Sequence, residues 1–350
     1  MNPGTLLIRA DANAAIGSGH VMRCLALAQS WRQAGGNVVF GMAEATAAVE
    51  QRLVENSCRI AQVAGSPGSG EDLRGTRVLV AAESPSWIVL DGYQFDAHYQ
   101  SELKRLRPLL VVDDNGLVEH YSADVVANQN VHATEAMYMR RGQHTRLLLG
   151  PQYALLRNEF AAYRQWTREI PARGTRLLVT MGGSDPSGFT PRILRQLAEL
   201  PGNALQIRVV VGGSATNASV VKEVAAEHGG RVQVILDARN MAELMEWADL
   251  AVAAAGSTCW EMCLLGLPAI LVVAAENQRP IARQLDVVGA GLNAGPSAEI
   301  DSAWLAQRAH QLLMSADARI AMSRAARKLV DGRGRERVLD VMQTGDAPCA

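Results

Sequence analysis

Between the apolar run Leu6-Leu7-Ile8-Arg9-Ala10 and a helical pattern that begins at Val21, the sequence carries Gly17-Ser18-Gly19-His20. Glycines at such a place let the backbone approach a ligand, and the first turn of the following helix offers N–H groups without intrahelical partners. A histidine there suits general base catalysis, because imidazole titrates near neutrality. A helix-capping or structural histidine is the alternative. The loop is neither a dinucleotide fingerprint nor a P-loop: no third glycine follows at the required offset, and no lysine stands where a phosphate would need it. Acidic side chains also close the neighbouring apolar runs: Asp11 after Ala10, Asp91 (with Gly92 and Tyr93) after Trp87 to Leu90, and Asp113-Asp114 after Leu109 to Val112. Asp91 and the 113–114 pair read either as paired carboxylates of glycoside chemistry or as groups that orient His20 or cap helices.

The second half of the chain holds three more candidate turns. Gly256-Ser257-Thr258-Cys259-Trp260-Glu261 follows the small-residue run Leu250 to Ala254. Hydroxyls and backbone amides at the start of a helix can hold a diphosphate. Glu261, one turn after Ser257 on the same face, can accept from ribose hydroxyls. A capping box, with Thr258 as cap and Glu261 third in the helix, is the competing reading, and both can hold together. Gly182-Gly183-Ser184-Asp185-Pro186 follows Arg176 to Thr180 and reads as a phosphate or sugar contact, or as a plain turn into a helix. Glu276-Asn277-Gln278 closes Leu267 to Ala275 and offers amides to a sugar or phosphate.

The elements that position these residues are alternating strands and helices. Expected strands are Leu6–Ala10, 37–41, Val78–Ala81, Trp87–Leu90 and Leu109–Val112 in the first half. In the second they are Arg176–Thr180, 206–211, Val232–Leu236, Leu250–Ala254 and 267–275. Apolar runs without alternation mark strands buried on both faces, hence parallel sheets covered by helices, whose ligands sit beyond the strands' carboxyl ends. The 350 residues suffice for two domains. We expect a first domain over 1–160, a polar linker over 161–175, and a second domain over 176–343 whose last helices pack back toward the first.

With 48% hydrophobic and 20% charged residues and a formal net charge of −1, the composition is that of an ordinary globular protein with no bulk drive toward nucleic acid or anionic membrane. No run reaches the ~20 apolar residues of a membrane span, and Met1 to Ala10 lacks a signal-peptide layout. Five scattered cysteines (24, 58, 259, 263 and 349) read as reduced thiols of a cytoplasmic protein. His98, His120, His132, His144, His228 and His310 show no metal spacing. No cofactor, metal or obligate partner is expected; the sequence does not give the oligomeric state and is compatible with a monomer.

Ile8-Arg9-Ala10-Asp11 followed by Ile16-Gly17-Ser18-Gly19-His20-Val21-Met22-Arg23-Cys24-Leu25 resembles the opening of the UDP-2,4-diacetamido-2,4,6-trideoxy-β-L-altropyranose hydrolases of pseudaminic acid biosynthesis. Asp91-Gly92-Tyr93, Leu148 to Arg157 with Glu159-Phe160, and Gly182 to Pro186 extend the likeness. The turn at Gly256-Ser257-Thr258 with Glu261, then Gly266-Leu267-Pro268 and Glu276-Asn277-Gln278, is similar to GT-B nucleotide-sugar enzymes generally, the glycosyltransferase that makes lipid II among them. The resemblance runs over roughly residues 5 to 335. It implies a GT-B-like α/β fold, two Rossmann-like doubly wound domains facing a central cleft. It implies that His20 activates a water that expels UDP from the anomeric carbon with inversion, without a metal. Asp11, Gly17, Gly19, Tyr93, Gly183, Ser184, Asn277 and Gln278 would border the substrate. Ser257 and Thr258 would hold the diphosphate, Glu261 the ribose, and the segment 237–241, ending at Met241, the uracil. A GT-B glycosyltransferase with a UDP-sugar donor is the runner-up; the first half shows no obvious apolar acceptor patch to favour it. A nucleotide-sugar sensor without turnover is a third reading.

Overall fold

The computed structural model describes residues 2–13, 16–183, 185, 188–201, 204–213 and 215–344. Contacts group the chain into two compact units. The first is drawn from 1–13, 20–158 and 333–350, the second from 14–19 and 159–332.

The first unit is built from β1 (Thr5–Ala10), α1 (Gly19–Gln33), β2 (Asn37–Met42), α2 (Ala47–Glu55), β3 (Arg59–Gln62), α3 (Gly70–Glu83), β4 (Trp87–Asp91), α4 (Ala97–Lys104), β5 (Leu109–Val112), β6 (Val125–Asn128) and β7 (Arg146–Leu149). Its strands lie in the order β3-β2-β1-β4-β5-β6-β7, every pairing parallel. Leu6, Ile8, Val89 and Leu110 on one face pack with Val21, Leu25 and Trp31, while Leu7, Ile88, Leu90 and Val111 on the other pack with Leu73, Tyr99 and Leu103. Burial on both faces is why the strands read as unbroken apolar runs.

The second unit holds β8 (Arg176–Thr180), α5 (Phe189–Ala198), β9 (Gln206–Val211), α6 (Ala218–Glu227), β10 (Val232–Leu236), α7 (Met241–Trp247), β11 (Leu250–Ala254), α8 (Thr258–Leu265), β12 (Ala269–Val273), α9 (Arg279–Val287), β13 (Leu292–Pro296), α10 (Ser302–Met314) and α11 (Ala316–Arg327). Its parallel sheet runs β10-β9-β8-β11-β12-β13. A final helix, α12 (Gly334–Thr344), belongs to the first unit, where Val338, Val341 and Met342 complete the core.

One expected strand is a helix. Val78–Ala81 lies inside α3, because local capping outweighs β-branched content: Ser69 Oγ accepts from the Asp72 N–H at 3.2 Å, acidic Glu71 and Asp72 occupy the first turn, and Leu73, Thr76 and Val80 are buried at helical spacing. Strands β3, β6, β7 and β13 were not expected; each is four or five residues long.

Residues 164–174 form neither strand nor helix and are bound within the second unit. Arg319 donates to the carbonyls of Pro171 and Ala172, and Arg327 to that of Arg164. Arg168 donates to the carbonyls of Met245, Ala248 and Leu265, closing the C-terminal ends of α7 and α8.

Candidate functional site

In both sheets the strand order reverses next to the first strand of the unit. The reversal falls between β1 and β4 in one and between β8 and β11 in the other. Crevices beyond the carboxyl ends of strands at such a reversal are where doubly wound sheets bind ligands. His20 is the second residue of α1, in the connection that leaves β1, and Asp91 is the last residue of β4, paired in register with Ala10 at the end of β1. Topology therefore puts the two side chains on either side of the reversal.

Their geometry is specific. His20 Nδ1 lies 2.5 Å from Asp91 Oδ1. An ionised carboxylate only accepts hydrogen bonds, so Nδ1 carries the proton and Nε2, across the ring, carries the lone pair when the imidazole is neutral. Arg23, one turn further along α1, grips the same carboxylate with two donors, Nε to Oδ2 at 2.6 Å and Nη2 to Oδ1 at 2.7 Å. Its Nη1 donates to Asp114 Oδ1 at 2.7 Å. Asp114 also accepts from Asn130 Nδ2 at 2.8 Å and, at its other oxygen, from the Tyr93 hydroxyl at 2.9 Å. The ring of Tyr93 stands edge-on to His20, centroids 4.9 Å apart and planes at 83°.

Burial alone would raise the Asp91 carboxyl, but the charges of Arg23 and His20 and their hydrogen bonds outweigh it and hold the group below its ordinary value. Asp114 is held well below the carboxylate range in the same way, burial being overcome by Arg23. The Cys24 thiol, which touches Asp91 Oδ2 at 3.3 Å, is driven up by burial and by that carboxylate and stays protonated. The neighbouring Asp113 has a different role. Its Oδ2 accepts from the N–H groups of Asn115 and Gly116 and from the Tyr138 hydroxyl, so it ties the loop after β5 to the segment after β6, and burial pushes its carboxyl up.

The first unit thus gathers His20, Asp91, Arg23, Asp114, Tyr93 and Asn130. It is a support of one net negative charge, two carboxylates against one guanidinium, for one imidazole whose Nε2 edge can take a proton. Asp11, the residue after Ala10, is engaged by protein donors. Its Oδ1 accepts from the N–H groups of Ala43 and Glu44, and its Oδ2 meets Arg9 at 2.7 Å and Gln94 at 3.2 Å. With four protein donors and 1% exposure it joins the ends of β1 and β2. Sequence reasoning passed over Arg23 and Asn130 as site residues. For Arg23 the signal was present: it is three residues after His20 and is the one charged residue in the otherwise apolar run from Val21 to Ala28.

The second unit brings together turns rather than charges. Gly183 lies against Ser18, so close that a Cβ on Gly183 would meet Ser18 Oγ at 2.6 Å, and a Cβ on Gly212 would meet the Gly183 carbonyl oxygen at 2.4 Å. Gly182, at φ +79°, makes the turn that allows this. A Cβ on Gly19 would lie 3.8 Å from Ser257 Oγ, and one on Gly256 would lie 3.6 Å from Gln278 Nε2. Gly19, Gly256, Ser257 and Gln278 therefore share one neighbourhood beyond β11 and β12. Ser257 itself is the cap residue of α8 and its hydroxyl makes no capping bond, so the cap position falls one residue before the Thr258 of the capping-box reading. Thr258 opens the helix and Glu261 sits in its first turn. Gln278 Oε1 accepts from the Ala274 N–H at 2.9 Å, and Asn277 is in the short helical turn before α9. The Met241 N–H donates to Glu159 Oε2 at 3.1 Å, so that amide already has an acceptor. Gly17 adopts φ +71°. Ser184, Pro186 and Cys349 lie outside the described residues.

Residues 177–338 match the model of the glycosyltransferase family 28 C-terminal domain. Among curated proteins, the chain is 24% identical over 281 residues to an uncharacterised protein of Methanocaldococcus jannaschii (78% of this chain, 56% of that one). It is 27% identical over 236 residues to the spore coat polysaccharide biosynthesis protein SpsG of Bacillus subtilis (67% and 68%). It is 23% identical over 281 residues to the UDP-2,4-diacetamido-2,4,6-trideoxy-β-L-altropyranose hydrolase of Campylobacter jejuni (80% and 95%). The crystal structure of Acinetobacter baumannii MurG superposes with a TM-score of 0.65 at 17% identity, covering 97% of this chain and 99% of that one. The fold is GT-B-like: two Rossmann-like units, each a helix-covered parallel sheet. Among the described residues no helix is long and apolar enough to cross a membrane, and no cluster of histidine, cysteine and carboxylate side chains is arranged to hold a metal ion. Cys24, Cys58, Cys259 and Cys263 are unpaired thiols.

Proposed function

We propose that the protein hydrolyses a UDP-sugar, with His20 as general base and the second unit holding UDP. The observation that carries this reading is the 2.5 Å contact between His20 Nδ1 and Asp91, which leaves Nε2 as proton acceptor. In the proposed reaction a water attacks the anomeric carbon from the face opposite the leaving group and its proton passes to Nε2. The carbon–oxygen bond to the diphosphate breaks, UDP leaves with the bonding pair, and the configuration inverts. Amides and hydroxyls at the start of α8, with Ser257 and Thr258 foremost, spread the charge of the departing diphosphate. Glu261 accepts from the ribose, and the segment 237–241 meets the uracil. Gly17, Gly19, Gly183, Asn277 and Gln278 border the substrate, and Tyr93 lies beside the sugar. General base assistance accounts for about 10²–10⁴-fold in rate, so ligand positioning must supply the rest.

The likeness to the Campylobacter jejuni hydrolase, which extends over most of both chains, supports water as acceptor and UDP-2,4-diacetamido-2,4,6-trideoxy-β-L-altropyranose as substrate. The family 28 match over 177–338 supports the second reading, transfer of the sugar to an acceptor hydroxyl. Proton NMR of that UDP-sugar with the protein and no acceptor separates the two. Free UDP and the inverted free sugar are expected. An intact donor that is consumed only after an acceptor alcohol is added would replace hydrolysis by transfer.

A further inference from the structure

Arg23 is 6% exposed and lies between two buried carboxylates, each of which makes contact with a different aromatic neighbour of the site. Asp91 holds His20, and Asp114 holds the hydroxyl of Tyr93. We propose that Arg23 is a positioning residue: by bridging Asp91 and Asp114 it fixes the His20 ring and sets how tightly that ring keeps the proton it takes up.

The argument is one of charge and geometry. The groups that face His20 are Asp91 from the end of β4, Arg23 from α1, Asp114 from the loop after β5, and the ring edge of Tyr93. Cys24 is protonated, and Asp113 is turned to Tyr138 and Gly116. With a neutral imidazole the cluster of Asp91, Asp114 and Arg23 carries one net negative charge. Proton uptake by His20 brings it to zero. Arg23 thus has two opposed effects. Its fork holds Asp91 in the orientation that accepts from Nδ1, which keeps Nε2 on the opposite edge. Its charge offsets one carboxylate, which keeps His20 from binding a proton too tightly to release it. Without Arg23 two buried carboxylates would face the ring unopposed. A lysine keeps the charge but not the two-pronged grip.

The inference rests on the hydrolytic reading for the part the proton plays in turnover, and its test is independent of turnover. The full chain, labelled with ¹⁵N and free of ligand, is titrated while the ring nitrogens of His20 are followed by NMR. In Arg23→Gln, His20 should keep its second proton to a pH about one unit higher than in the wild type, about a tenfold tighter hold. In Asp114→Asn the shift should have the opposite sign, and Arg23→Lys should titrate close to wild type while showing a mixture of neutral tautomers. If Arg23→Gln does not fold, Arg23→Lys decides: a single neutral tautomer, as in the wild type, overturns the proposal. An unmoved ring in Arg23→Gln, or shifts of the same sign in Arg23→Gln and Asp114→Asn, overturns the proposal. Unmoved NMR titrations together with UDP release would discard the role of Arg23 and leave hydrolysis standing. Shifts as expected without UDP release would do the reverse.

Discussion

The two strand-order reversals are furnished in contrasting ways. Beside β1 and β4 the first unit sets interlocked side chains: one histidine, one arginine, two carboxylates, an asparagine and a tyrosine, with nearly every polar atom facing another. Beside β8 and β11 the second unit sets backbone turns, glycines at contact distance and a helix start whose cap hydroxyl makes no capping bond. A rigid charge network suits proton transfer at one defined atom. A glycine- and hydroxyl-lined turn suits an anion, which needs close approach and many weak donors. The same strand order at the reversal, in a seven-stranded and a six-stranded sheet, is therefore furnished in two different ways by a handful of residues at the strand ends.

That contrast can be broken experimentally. His20→Ala should have the largest effect, a fall in turnover on the order of 10²–10⁴-fold with UDP affinity within about threefold of wild type. UDP release measured beside calorimetry of UDP binding checks this, and wild-type turnover in the variant would remove His20 as base. Asp91→Asn comes next. It leaves Arg23 short of a buried partner, which costs about 3–5 kcal/mol of stability, and it frees the imidazole to choose the other tautomer, so both melting temperature and turnover should fall. Ser257→Ala with Thr258→Ala should act on the other side of the contrast, weakening UDP by about tenfold, roughly 1.4 kcal/mol, while the ring nitrogens of His20 keep their wild-type NMR signature.

The smallest effect concerns acid stability. Asp91 and Asp114 are held below the ordinary carboxylate value in the folded protein. Their contribution is therefore fully present above the unfolded value of about 4 and disappears as the pH falls below it toward the folded values. Denaturant midpoints should stay level from neutral pH down to about pH 5 and decline below about pH 4. Asp114→Asn should be less stable at neutral pH and show a shallower acidic decline. An equally steep decline in that variant would place the acid sensitivity in other carboxylates.

How much of this was legible depended on whether a residue ended an apolar run. His20, Asp91 and Tyr93 could be read because they follow such runs, and parallel sheets place ligands there. Asp11 has the same sequence position and yet ties β1 to the chain after β2, since a strand-end carboxylate can turn toward a neighbouring backbone as easily as toward a crevice. Asn130 follows β6, whose four residues are too short to signal a strand alone. Val78 to Ala81 misled because a β-branched stretch inside a helix differs from a strand only through distant capping at Ser69. The partnership of Asp91 with His20, 71 residues apart, exists only through the parallel pairing of β1 with β4.

The placement of α12 bears on how the polypeptide matures. Val338, Val341 and Met342 fill an interior shared with Leu6, Ile8 and Val21, so that interior is sealed only once residues 334–344 have been made. On the ribosome the lobe formed by 159–332 can close first, although it emerges second. A nascent chain stalled before residue 333 would carry His20 on an unfinished scaffold, with an apolar gap that invites chaperones or aggregation.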